Sequence, residues 1–370
     1  MSPEPTDSAT AAVASARLER TLFEVKRIIV GQDRMVERLL VCLLARGHCL
    51  LEGVPGLAKT LAAETLAATV HGTFARIQFT PDLMPSDLVG TRIYRPSSER
   101  FDVELGPVFA NFVLADEINR APAKVQSALL EVMGERQVSI AGVTHPVPDP
   151  FLVLATQNPI ESEGVYLLPE AQRDRFLMKV VVGYPTPTEE LEIVTRMGVD
   201  PPSPVSVLDA DELLELQQAV DGIYVDPAVI WYAVSLVFAT RAPKDQGFVD
   251  LEPLIAYGAS PRATLGLVAA GRALALVRGR TYVLPQDVYD IAPEVLRHRI
   301  VLSYEALADG VEADHIVNRV VTAIQLPRIA PSQERMPGAR PAGLTAGSVP
   351  ERQAGARAPG SEAEQDERTA

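Results

Sequence analysis

The residues from Gly53 to Thr60 read GVPGLAKT. A phosphate-binding loop reads G-x-x-x-x-G-K-[ST], with glycine immediately before the lysine. Here Ala58 holds that place, and a further glycine, Gly56, sits two positions earlier. In such a loop the backbone N–H groups and the positive end of the following helix face the phosphates, so no large side chain fits close to them. Gly53, Val54, Pro55, Gly56, Leu57 and Ala58, with Lys59, Thr60 and Leu61 at the start of the helix, are therefore the candidate phosphate contacts. Ala58 adds only a methyl, where the chain is expected to enter the helix with negative φ, and alanine is expected to be unstrained there. Lys59 would reach the β and γ phosphates, and the Thr60 hydroxyl would ligate Mg²⁺. The plainer alternative is a strand–turn–helix connection that happens to end in Lys-Thr.

A second group bears on the same chemistry. The apolar run Phe112–Ala115 leads straight into Asp116 and Glu117. An acid pair at the C-terminal end of a buried strand lies where ligands bind in open α/β sheets. Asp116 would hold Mg²⁺ through water, and Glu117 would polarise an attacking water as general base. The run FLVLATQNP carries Asn158 just before its final proline, and the Asn158 amide could orient that water or touch the γ-phosphate. Further on, LPEAQRDRF offers Arg173 and Arg175. They are either a solvated face or the source of an arginine finger for a phosphate bound by a neighbouring subunit. Arg175 is the first choice, because Phe176 and Leu177 anchor it at the sheet, and Arg173 is the reserve. In GASPRATLGL, Ser260 is a helix N-cap, Pro261 the first helical residue and Arg262 the next. A cation there opposes the helix dipole. Arg262 reaching for a phosphate would account for it, and a plain surface arginine is the alternative.

These residues need a scaffold. Short apolar runs (HCLLEGV, FARIQF, ANFVLAD, FLVLAT and LMKVVVGY) alternate with helical patterns, which implies a parallel sheet covered on both faces. LERTLFEVKRIIVGQDRMVERLLVCLLARG reads as two amphipathic helices broken at Gly31, and AKVQSALLEVMGER as a helix that stops at Gly134. Thr186-Pro187-Thr188-Glu189 is a capping box, and from there to about Leu326 nearly everything reads as helix. The expected domains are a flexible N-terminus over 1–17, a nucleotide-binding core over 18–185, a helical lid over 186–328 and a disordered, Pro/Gly/Ala-rich tail over 329–370.

Composition excludes several classes. The chain of 370 residues carries a formal net charge of −14, so it repels a phosphate backbone and nucleic acid is a poor partner. Its two cysteines, Cys42 and Cys49, lie in apolar surroundings and read as buried hydrophobes in a reducing compartment. The N-terminus lacks the apolar core of a signal peptide, and the apolar run Pro227–Thr240 falls short of the roughly 20 residues a membrane span needs. A cytoplasmic protein without direct membrane insertion is expected.

Taken in order, the loop, the acid pair, Asn158, EAQRDRF and GASPRA resemble the AAA+ ATPases, and within them the MoxR family. GVPGLAKT, with alanine before the lysine, is similar to that family's spelling. So are FTPDLMPSDLVG, LADEINRAPAKVQSALLEVMGERQVSI and LATQNPIESEGVYLLPEAQRDRF. The resemblance runs from about Leu18 to Arg328, and Arg173 departs from it, standing where an apolar residue is expected. It implies a P-loop core of five parallel strands with a C-terminal all-helical lid, ATP and Mg²⁺ as ligands, and Val30-Gly31-Gln32 against the adenine. It also implies an insert carried by PDLMPSDLVG and a hairpin over Gln137–Pro150. Such proteins are chaperone-like; they assemble as homo-oligomeric, usually hexameric, rings with sites shared between neighbours. They remodel or mature protein clients, often ones with a von Willebrand factor A domain. The resemblance leaves open whether Arg262 acts on its own or a neighbour's nucleotide. Two alternatives are the ATPase subunit of a metal chelatase and a nucleotide-gated binding protein with little hydrolysis. Nothing suggests a tetrapyrrole site for the first, and intact Glu117, Asn158 and Arg175 count against the second. A P-loop kinase is disfavoured by the acid pair and the helical lid.

Overall fold

The structure is a computed structural model that describes residues 6–96, 99–159 and 164–328. The expected tail over 329–370 lies outside the described residues. Two helices, α1 (Ser8–Ile28) and α2 (Asp33–Leu44), precede the first strand, β1 (Cys49–Glu52). Then come α3 (Lys59–Thr69), β2 (Phe74–Gln78), α4 (Pro85–Val89), the hairpin β3 (Gly90–Arg95) and β4 (Arg100–Leu105), and β5 (Phe112–Asp116). Helix α5 (Ala123–Glu135), the hairpin β6 (Gln137–Ile140) and β7 (Val143–Pro146), β8 (Leu152–Gln157), α6 (Glu170–Arg173) and β9 (Met178–Val181) complete the core. The lid contains α7 (Pro187–Met197), α8 (Ala210–Asp221), α9 (Pro227–Arg241), β10 (Ile255–Tyr257) and α10 (Pro261–Val277). It ends with α11 (Pro285–Leu296), β11 (Val301–Leu302), α12 (Tyr304–Ala308) and α13 (Ala313–Ala323).

The sheet has five parallel strands in the order β2-β5-β8-β1-β9. Side chains alternate between its faces, and both faces are buried. Leu51, Leu114, Leu154 and Val180 point into one core, shared with α1, α2, α3 and the lid helices. Leu50, Val113, Val153 and Ala155 point into the other, with Leu129 and Leu130 of α5. Burial on both sides is why these strands read as continuous apolar runs rather than alternating ones. The parallel register brings Glu52, Gln157 and Val181 to one edge, with Gln78 and Asp116 alongside. The residues that precede the strands collect at the opposite edge.

The lid packs directly on the core. Gly266 of α10 packs closely on the core: a Cβ there would lie 3.1 Å from Leu177 Cδ1. Helix α9, the longest apolar run, buries Val229, Tyr232, Ala233, Leu236 and Val237. No helix among the described residues is long and apolar enough to cross a membrane. Cys42 and Cys49 are both free and fully buried. The capping box at Thr186 is present, with Glu189 N–H donating to the Thr186 hydroxyl and Thr186 N–H to the Glu189 carboxylate.

Several expectations need correction. Helix α1 begins at Ser8, capped by Asp7, which accepts from Thr10 N at 2.7 Å. Residues 8–17 therefore belong to the fold: Ala11 and Ala14 are buried, and the Thr6 hydroxyl donates to Ala219 O at 2.7 Å. The alternating small residues of this segment hid an apolar stripe made of alanine. Helix α5 runs through Gly134 and stops where Arg136 turns left-handed at φ 54°. Gly134 instead makes room for Arg175, whose Nη1 would lie 3.1 Å from a Cβ there. The expected insert at Pro81–Gly90 is a short helix that continues into the β3–β4 hairpin, paired from Gly90↔Leu105 to Arg95↔Arg100. That hairpin is solvent-exposed along both strands, so it leaves no burial alternation in the sequence.

Candidate active site

The loop follows β1 at the C-terminal edge of the sheet. Gly53 must be glycine, because a Cβ would meet Val182 O at 2.7 Å. Gly56 turns at φ +85° with open space around the position of a Cβ. Ala58 adopts φ 58° and ψ 19°, in the left-handed region. This overturns the expectation of an unstrained alanine with negative φ: the chain reverses its twist at residue 58, and the helix begins only at Lys59. Left-handed conformation costs an L-residue about 1–2 kcal/mol, least for a small side chain. No side chain caps α3, so its first-turn N–H groups are left for a ligand.

Lys59 Nζ donates to Gly53 O and, at 3.1 Å, to Val54 O. Its ammonium is folded across the loop it would serve. Burial lowers its pKa, against the opposing pull of Asp116, Glu117 and Glu52. Three carboxylates near one lysine mark the edge where a phosphate and a divalent cation would exchange charge. Gln32 Nε2 donates to Gly183 O at 2.9 Å, and a Cβ on Gly31 (φ +73°) would lie 2.9 Å from Glu189 Cδ. Val30-Gly31-Gln32 thus lies against the junction between β9 and α7, where the core passes into the lid.

The acid pair sits at the same edge. Asp116 is 9 % exposed. Its Oδ1 accepts from the Thr156 hydroxyl at 2.6 Å, and its Oδ2 accepts from Arg76 Nη2 at 2.6 Å and Nε at 3.1 Å. Glu117 adopts the left-handed conformation (φ 54°, ψ 51°), and its N–H donates to Thr156 Oγ1 at 2.8 Å. Its carboxylate accepts from Gln78 Nε2 at 3.1 Å and pairs with Arg120 Nε at 2.8 Å. Strain of this kind, at about 1–3 kcal/mol per residue, concentrates at functional sites. Asn158 is buried just past the end of β8. Arg76, Gln78 and Thr156 are site residues that the linear reading missed. They stand opposite the acids through strand register: Gln78 pairs with Asp116, and Thr156 follows Ala155, the partner of Ala115.

Among the described residues, no cluster of three or more His, Cys, Asp or Glu could hold a metal alone. Mg²⁺ takes one or two protein oxygens and completes its shell with water and phosphate. Thr60 and Asp116 offer a hydroxyl and a carboxylate of the right chemistry. The donor set fits Mg²⁺ bound together with a nucleotide.

The arginines lie elsewhere. Arg175 Nη1 donates to Leu130 O of α5. Arg262 Nη1 lies 3.8 Å from Asp174 Oδ2, and the Ser260 hydroxyl donates to the same oxygen at 2.8 Å. The Asp174 carboxylate at the N-terminus of α10 offsets the cation placed against the helix dipole. Within a single chain, Asp174 is the charged group that Arg262 meets. Asp174 and Arg175 precede β9, whereas the loop follows β1. Since the two strands are parallel and in register, the length of a four-residue strand, about 13 Å, lies between the two groups. Arg262 and Arg175 stand at the opposite edge from the loop of their own chain. Arg173 is half-buried.

A strand-to-helix phosphate loop beside an acid pair at the carboxyl edge of a parallel sheet defines a P-loop nucleotide-binding protein. The model of the "ATPase family associated with various cellular activities (AAA)" matches residues 48–178, and that of an AAA lid domain matches 250–320. The chain is 64 % identical over 312 residues to "Chaperone MoxR1" of Mycobacterium tuberculosis, covering 84 % of this chain and 83 % of that one. It is 34 % identical over 318 residues to "Protein MoxR" of Methylorubrum extorquens, covering 78 % and 88 %. The crystal structure of a putative ATPase from Cytophaga hutchinsonii superposes with a TM-score of 0.81 at 45 % identity, over 86 % of this chain and 97 % of that one. This chain belongs to the MoxR family of AAA+ ATPases.

Proposed function

We propose that this chain binds ATP with Mg²⁺ at Gly53–Leu61, hydrolyses it at sites shared between neighbours in a ring, and uses the cycle to remodel a partner protein. The observation that carries the reading is the split between the two edges of the sheet. Lys59, Asp116 and Glu117 stand at one edge and Arg175 and Arg262 at the other, so a second copy is needed to bring the two sets together. A head-to-tail contact of this kind closes into a ring.

In this mechanism the loop N–H groups and the start of α3 hold the phosphates, and Lys59 turns from the loop carbonyls to the β and γ oxygens. Thr60 and Asp116 would hold Mg²⁺, which when bound would neutralise charge on the phosphate oxygens. Glu117 accepts a proton from the attacking water, and Asn158 orients that water. Val30-Gly31-Gln32 lies against the adenine. Arg175 of the adjacent subunit stabilises charge developing on the γ-phosphoryl, with Arg262 beside it acting in trans and Arg173 as the reserve. The relative named a chaperone supports a protein client, and the family resemblance favours one with a von Willebrand factor A domain. The ring is hexameric and works in the cytoplasm.

The test mixes two inactive proteins. Glu117→Gln binds ATP without turnover, Arg175→Ala loses turnover with binding intact, and their mixture regains part of the activity. Mixtures that stay inactive at every ratio would refute the shared site.

A further inference from the structure

The finger segment Asp174–Leu177 is not held by its own domain alone. Arg299, just past α11 in the lid, is 8 % exposed and spreads its guanidinium over it. Nε donates to Asp174 Oδ1 at 2.7 Å, and Nη2 donates to Asp174 O at 3.2 Å and Phe176 O at 2.5 Å. Nη1 donates to Leu177 O at 3.1 Å and, within the lid, to Val295 O. His298 adds a bond from Nε2 to Phe176 O at 3.0 Å. Burial holds the His298 ring neutral, well below the usual histidine range, so Nε2 carries the proton that the carbonyl accepts. The acceptors lie on both sides of Arg175, and Ser260 and Arg262 of α10 contact Asp174 from the other lid helix.

We infer that Arg299 is a positioning residue for Arg175: the lid of each subunit sets where that subunit's finger stands, and thereby the activity of its neighbour's site. A planar fork that satisfies Asp174, Phe176 and Leu177 fixes the backbone around residue 175 in a way a point charge cannot. The segment is short, and Arg175 itself has one hydrogen bond to a backbone carbonyl of α5, so its placement follows the clamp. Helix α11 itself is tied to the core as well, through its middle and its C-terminal turn. Arg34 Nε donates to Glu294 at 2.6 Å and Arg38 Nη2 pairs with Asp290 at 3.0 Å. Both arginines lie on α2, which follows Val30-Gly31-Gln32. The helix that leads into the clamp is therefore bonded to the helix that follows Val30-Gly31-Gln32. The inference rests on the proposed role of Arg175 as a finger in trans.

The test uses full-length Arg299→Lys, which keeps the buried positive charge but loses the fork, and Asp174→Asn as a second variant on the other side of the contact. Thermal midpoint and affinity for a fluorescent ATP analogue confirm folding and an intact own site. Turnover of each variant alone is expected to fall by about ten- to a hundredfold, the loss expected when a reacting group is displaced by about 1 Å. Mixing with Glu117→Gln protein, whose finger is intact, is expected to restore turnover as it does for Arg175→Ala. Rescue of Arg175→Ala without rescue of either clamp variant overturns the inference and leaves the shared site standing. So does wild-type turnover in both clamp variants. Failure to rescue Arg175→Ala itself removes the shared site and the inference with it.

Discussion

If Asp116 holds the proposed Mg²⁺, its contact with Arg76 is expected to limit the affinity for that cation. Two hydrogen bonds, at 2.6 and 3.1 Å, hold the guanidinium on one carboxylate oxygen, while Thr156 occupies the other at 2.6 Å. The guanidinium places a positive charge where the proposed cation would bind, so the two would compete for the same acid. Arg76 is 49 % exposed on its side chain and Asp116 12 %. The pair therefore ranks between an exposed ion pair, at about 0–1 kcal/mol, and a buried charged hydrogen bond, at about 1.5–3 kcal/mol. About 1 kcal/mol is the working value, and it converts to about a fivefold change in binding. Arg76→Ala should tighten Mn²⁺ binding by about that factor, measured by electron paramagnetic resonance with saturating nucleotide in a Glu117→Gln background. Arg76→Lys, which keeps a charge without the fork, should fall between the two. Thr156 still orients Asp116 in both variants, so the site is not disassembled. Unchanged or weaker Mn²⁺ binding in Arg76→Ala, with an unaltered thermal midpoint, would falsify the competition.

Three further outcomes are expected. Lys59→Ala should abolish binding of a fluorescent ATP analogue, and unchanged affinity would remove the loop from the site. Ala58→Val places a β-branched side chain at φ 58° and should cost about 1–2 kcal/mol more than alanine in denaturant unfolding. Ala58→Gly should be within about 1 kcal/mol of wild type with nucleotide affinity kept; a larger loss would mean the left-handed turn is not where the strain lies. His48 is buried between Met133 O and Val153 N–H, and burial holds its pKa at about 3. The unfolded chain takes up this proton near pH 6.5 and the folded one does not until about 3, so stability falls as pH drops through that window. His48→Gln should show a shallower decline in thermal midpoint between pH 6.5 and 4, and parallel curves would refute the assignment.

The strands, the loop and the acid pair were legible because each is local. A continuous apolar run bounded by turns, a glycine-rich loop before a helix and two acids at a strand end are patterns within a few residues. The Thr186 capping box and the Ser260 cap were legible for the same reason. The N-terminal stretch was not: alanine buries a helix face without raising the apolar signal, and residues 8–17 belong to the fold. Backbone conformation was not either, since nothing in GVPGLAKT says that residue 58 turns left-handed.

By itself the sequence determined the class of the sheet, the loop and acids at its carboxyl edge, and the family. Only the tertiary structure decided which charged groups meet. Arg76 and Asp116 are 40 positions apart, and Arg299 and Asp174 are 125 apart. No periodicity connects them, because strand register and lid packing set those pairs. The parallel register also placed Arg175 and Arg262 at the opposite edge from the loop, about one strand length away. A linear motif records the order of residues along the chain but not which end of a strand they come to occupy. That end is chosen by the direction in which each strand joins the sheet.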